Sequence, residues 1–156
     1  MIVALWQARR GAVAVETALV LLLVLLPLFA AGWDFAVVLT LQSRLDAALA
    51  GGLFVAYTGG ANASSTTGVT NAAASAYGAA TPSLATNAAS LGYACIAPTG
   101  TRPSALSATV PASCPSGQSV ATYLTVTVGA SASLPLPIPV LAGTVPLARS
   151  GVVRVN

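Results

Sequence analysis

From Ala12 to Ala31 the chain runs about twenty residues with one charge, Glu16, which at a rise of 1.5 Å per residue is about 30 Å of helix. That length matches the hydrocarbon core of a bilayer, and the segment reads as a membrane-spanning helix. Arg9 and Arg10 stand just before it and a long uncharged stretch follows, so the positive-inside rule puts Met1 in the cytoplasm and the bulk of the chain outside. Pro27 removes one backbone donor within the span and predicts a kink. The run is longer than the apolar core of a secretory signal, and "LFAAGW" makes a poor signal-peptidase site. Glu16 is the anomaly. An ionisable group inside such a segment is costly and implies a partner.

Charged residues make up only 6% of the 156 residues, against about a quarter in an ordinary soluble domain, and 56% are hydrophobic. The shortage of charge points to a membrane or assembly protein. The cations are six arginines, at 9, 10, 44, 102, 149 and 154, too scattered to displace counterions from a nucleic acid. Histidine is absent, and the three carboxylates, Glu16, Asp34 and Asp46, all fall in one N-terminal helical stretch. General acid–base catalysis, a nucleophile–histidine pair and an ordinary zinc site are thereby excluded, so the chain reads as a non-enzyme without metal or cofactor.

Five zones follow along the chain: residues 1–11 before the span, the span at 12–32, an amphipathic stem at 33–57, an Ala/Ser/Thr-rich region at 58–117, and a β region at 118–156. In the stem Trp33, Val37, Leu41, Leu45, Leu49 and Leu53 recur every four residues, while Asp34, Gln42, Ser43, Arg44 and Asp46 fall elsewhere. Asp34 and Arg44 read as solvated charges and Trp33 as an interfacial anchor. Gly51-Gly52 should weaken the helix and Gly59-Gly60 should end it.

Within 58–117, Thr81 as N-cap, Pro82 at the first helical position and Gly92 as a stop predict one short helix, and Thr70 and Gly78 predict another. Asn62-Ala63-Ser64 fits a glycosylation sequon, a pattern short enough to arise by chance. Tyr77, Tyr93 and Tyr123 read as packing residues with solvated hydroxyls. Cys95 and Cys114 are either two unrelated buried thiols or a disulfide nineteen residues apart, worth about 3 kcal/mol; a location outside the cytoplasm favours the disulfide.

"YLTVTV" alternates, with Leu124, Val126 and Val128 on one face. "SLPLPIPV" also alternates, but three prolines restrict it to an edge strand or an extended connector. "LARSGVVRVN" closes a sheet of about three antiparallel strands. Its apolar face needs a cover, and the amphipathic half of the long helix is the one sizeable candidate. The expected class is α+β: a long transmembrane and amphipathic helix packed on a small antiparallel sheet.

"RRGAVAVETALVLLLVLLPLF" resembles the class III leader and first helix of type IV-like pilins, and is most similar to the TadE/TadG-like minor pilins, or pseudopilins, of the tight-adherence (Tad/Flp) pilus system. Thr17 stands where that family often has an aromatic residue. "LQSRLDAALAGG" and, more diffusely, "LTVTV" and "LARSGVVRV" are also similar. The resemblance implies a pilin-like fold, cleavage by a prepilin peptidase between Gly11 and Ala12, and Glu16 as the acid at position five of the trimmed chain. It further implies other pilin subunits, the Tad inner-membrane assembly platform and membrane lipid as partners. The place it implies is the inner membrane, crossed once, with the N-terminus cytoplasmic and the C-terminal domain periplasmic, and an extracellular pilus as the end point. Pairing between a new Ala12 amine and Glu16, in one chain or between neighbours, would make Glu16 a register mark. The alternatives are an uncleaved single-pass protein with an extracytoplasmic binding domain, and a type II secretion-like pseudopilin, whose acid usually follows "FTLI" where this chain has "AVAV".

Overall fold

A computed structural model describes residues 2–59, 64–98, 100, 105–134 and 143–155, with side chains from residue 13 onward. Helix α1, Ile2–Thr58, runs unbroken through Pro27 and stops at Gly59, whose N–H donates to the Val55 carbonyl at 2.8 Å. Helix α2 spans Thr66–Tyr77. Three strands follow, β1 (Thr86–Ile96), β2 (Ser119–Ser133) and β3 (Thr144–Arg154), in one antiparallel sheet ordered β1-β2-β3. The fold is α+β, a long apolar helix with a small three-stranded sheet. The sequon at Asn62 and the proline-rich segment 135–140 lie outside the described residues.

The helix–sheet packing follows the expectation. Leu41, Leu45, Ala48 and Ala56 of α1 are buried against Leu124, Val126 and Val128 of β2, and Val69 and Ala73 of α2 complete the core. Leu49 and Leu53 cross over Gly151 of β3, where a Cβ would lie 2.8 Å from Leu53 Cδ1, the movable end of that side chain. Arg149 on the same face of β3 pairs with Asp46 of α1, Nε to Oδ1 at 2.9 Å. Both side chains are substantially exposed, so the pair aligns the elements more than it stabilises them.

Three details of the sequence reading are corrected. The first is the region around residues 81–92, which carries no helix. Thr81 and Pro82 form a bend, and the chain then enters β1, pairing Ala89 with Val126 and Leu91 with Leu124. The sheet's first strand therefore comes from the Ala/Ser-rich region and not from 118–156. Alanine and leucine lean toward helix, and pairing with the Val/Thr-rich β2 overrides that weak preference. The second is α2, which begins before Thr70: Ser65 is the N-cap, its hydroxyl accepting from the Gly68 N–H at 3.2 Å. Gly78, with φ of 80°, ends it, as the sequence suggests. The third is Tyr77, whose hydroxyl is not solvated but donates to the Pro82 carbonyl and ties the end of α2 to the bend.

The face of β2 opposite α1 is not left to solvent either. Ala121 and Tyr123 are buried there with Ala94 and Ile96 under Leu106. The loop that brings Leu106 back pairs Ser107 with Tyr93 through two backbone hydrogen bonds of 2.8 Å. It is closed by a disulfide between Cys95 and Cys114, with Cα atoms 5.6 Å apart.

Candidate functional site

The domain formed by α2 and the sheet covers only the upper part of α1. From Val13 to Leu39 large apolar side chains are exposed, on every side as far as Phe29 and on one face above it, where Asp34 is buried and Val37 and Val38 are half-buried; the most apolar eighteen-residue window, of mean hydropathy 2.5, buries none of its residues. That is about 40 Å of helix, the hydrocarbon core and part of the interfacial layers of a bilayer. Trp33 and Phe35 stand out of the helix near the upper end of this shell, at the level where aromatic rings favour a membrane surface. The candidate site is thus a rod whose surface is complete only in lipid or against other apolar helices.

Glu16 sits near the foot of the rod, exposed among valines and leucines. Among the described residues it has no ion pair or hydrogen bond. The next charge up the helix, Asp34, is about 27 Å away at helical rise, and it is also an acid. Nothing described in the chain therefore neutralises Glu16. Its neighbour Thr17 hides its own hydroxyl in the helix by donating to the Val13 carbonyl at 2.8 Å, which is how that polar group is tolerated here. The backbone at Gly11 and Ala12 is helical, within α1. A new N-terminus at Ala12 would stand one turn below Glu16. Helical side chains lean toward the N-terminus, so the carboxylate would point at that amine and at the unpaired N–H groups of the new first turn.

Asp34 departs from the sequence reading. It is not a solvated stem charge: it is 3% exposed, and neither carboxylate oxygen has a hydrogen-bond partner among the described residues. The reason lies in the helical period. Counting every fourth residue from Trp33 drifts around a 3.6-residue helix, whereas the buried stripe steps by four and three through Asp34, Val38, Leu41, Leu45 and Ala48. Asp34 lies on that stripe and Trp33, at 64% exposed, does not. A buried carboxylate with no partner among the described residues opposes folding, so Asp34→Leu is expected to raise the stability of the isolated chain in detergent by about 1–3 kcal/mol. Thermal unfolding followed by circular dichroism measures this, and a lowered midpoint would refute it.

Arg44 lines a groove on the neighbouring face of the stem and has no ion pair or hydrogen bond among the described residues. Residues 11–53 match the family model of the TadE-like proteins. The match starts on Gly11 and ends within the last two turns of α1, so it covers the rod, both of its acids and most of the stem, and leaves α2 and the sheet outside. This segment is TadE-like. No curated protein and no solved structure matches the chain.

Proposed function

We propose that this TadE-like chain is a minor pilin or pilus-assembly protein of a Tad-type pilus, without catalytic activity of its own. It is inserted with its N-terminus in the cytoplasm and its sheet domain in the periplasm. A prepilin peptidase removes residues 1–11, and the exposed rod then passes from lipid to the flanks of other pilin helices. The observation that carries this reading is that the matched segment, 11–53, coincides with a helix whose lower part has no cover among the described residues. Glu16 supports the same sequence of events, because the cut that frees the Ala12 amine puts a cation one turn below it, where the described side chains offer none. Other pilin subunits, the peptidase and the inner-membrane platform are the partners this reading requires.

The test is the mature N-terminus. Intact-mass and peptide measurements on the chain from its native host should find a form beginning at Ala12, and replacing Gly11 with a bulky residue should leave only the full-length form. A chain that keeps Met1 in the membrane and in the pilus fraction alike would overturn the reading in favour of a simple tethered domain.

A further inference from the structure

Where the rod meets the domain formed by α2 and the sheet, the structure forms a groove of about 330 Å³, within the size range of small-molecule sites. Its walls are Trp33, Val37, Thr40 and Leu41 of α1 and Pro82 of the bend, and Arg44 closes its upper end. The Thr40 hydroxyl is turned into the helix, donating to the Ala36 carbonyl at 2.8 Å, so the wall it presents is apolar. The half-buried Arg44 guanidinium is the cation of this cavity, and neither an ion pair nor a hydrogen bond holds it among the described residues. An aliphatic trough ending in an unmatched positive charge has the polarity of an anionic amphiphile.

The groove is also at the right height. The exposed apolar shell reaches Leu39, and Arg44 stands about 7 Å further along the helix axis. Side chains on a helix lean back toward the N-terminus, which lowers the guanidinium toward the top of the shell, where headgroup phosphates lie. We propose that this groove is a binding site for one anionic phospholipid of the outer leaflet, its phosphate on Arg44 and an acyl chain along Trp33, Val37 and Leu41. A second copy of the chain fits less well. Of the described carboxylates, Asp46 is occupied by Arg149 and Asp34 is buried, which leaves a neighbour no acid near this level to offer Arg44. The proposal rests on α1 spanning a membrane and does not depend on the pilus reading.

Native mass spectrometry of the full chain, released from nanodiscs of equal phosphatidylglycerol and phosphatidylcholine, tests it. The parent should retain one phosphatidylglycerol with about fivefold preference, the size expected of one arginine at a membrane surface. With Arg9→Gln and Arg10→Gln present throughout, so that the arginines before the span hold no anionic lipid, Arg44→Gln should bring the ratio to one and Arg44→Lys should keep part of the preference. Equal retention of both lipids by the parent, or a preference that survives Arg44→Gln, overturns the site. So does a lipid-free dimer broken by Arg44→Gln, which would assign the groove to a second copy. A chain that fails to incorporate into nanodiscs at all removes the membrane premise and the proposal together, whereas the absence of cleavage at Gly11 would leave it standing.

Discussion

Glu16→Gln should reach the membrane as well as the parent or better, yet enter filaments at least about a hundredfold less. The two steps weigh the same carboxylate with opposite signs. During insertion an acid in an apolar helix is unfavourable by up to about 3 kcal/mol at the centre of the span and by less near its end, so the amide is no handicap. In the proposed assembly the carboxylate would face an amine at low dielectric, and removing one member of such a pair costs about 3–5 kcal/mol because the other is left buried and alone. Since each 1.4 kcal/mol is tenfold, that cost is a factor of at least about a hundred in incorporation. Immunoblots of sheared surface fibres against the membrane fraction report both steps at once. Glu16→Asp keeps the charge one methylene further from the amine and should fall between. Equal incorporation of the Gln variant would remove the role of register mark from Glu16.

The rod was legible because its signal is local and long. About twenty apolar residues bounded by Arg9 and Arg10 admit few other structures, and the same residues carry the family match at 11–53. The helix–sheet core was legible for a related reason: Leu41 and Leu45 on one element and Leu124, Val126 and Val128 on another are patterned at the right periods, 3.6 and 2. What failed depends on partners distant in sequence. Residues 86–96 have no period strong enough to announce a strand, and it is pairing with β2, from Ile96 with Ser119 to Thr86 with Gly129, that makes them one. Tyr123 reads from sequence as a packing residue, but what it packs under is not legible, because the loop that returns Leu106 over it leaves no local trace. Asp34 is the instructive error. Its position on the stripe through Leu41 and Leu45 was readable, but a charged residue is almost never fully buried without a partner, and that rule outweighed the geometry.

Gly51 supplies the largest expected change in stability. Inside a long helix a glycine is ordinarily a weakness, and replacing it with alanine gains about 0.5–1 kcal/mol from the backbone. That was the reading of Gly51-Gly52 from sequence, and the structure reverses it. A Cβ at Gly51 would lie 2.6 Å from Ala76 Cβ and 3.3 Å from the Ala72 carbonyl oxygen, both on α2. Neither is the free end of a flexible side chain, so α2 itself must move. It is held by Val69 and Ala73 in the core, by Tyr77 to Pro82, and by Asn87, whose Nδ2 donates to the Thr70 carbonyl at 2.9 Å. Overpacking of this kind costs about 1–3 kcal/mol and exceeds the backbone gain. Gly51→Ala should therefore lower stability, and Gly51→Leu should detach α2 and lower it by more than 3 kcal/mol, on the order of a large core defect. Gly32 is the internal control: it lies in the same helix with nothing within 4 Å of an added Cβ, so Gly32→Ala should be neutral or stabilising. Thermal unfolding of the three variants in one detergent, with protease sensitivity of the segment between α2 and β1, decides the matter. A Gly51→Ala chain as stable as Gly32→Ala would mean that the two helices do not touch at this crossing.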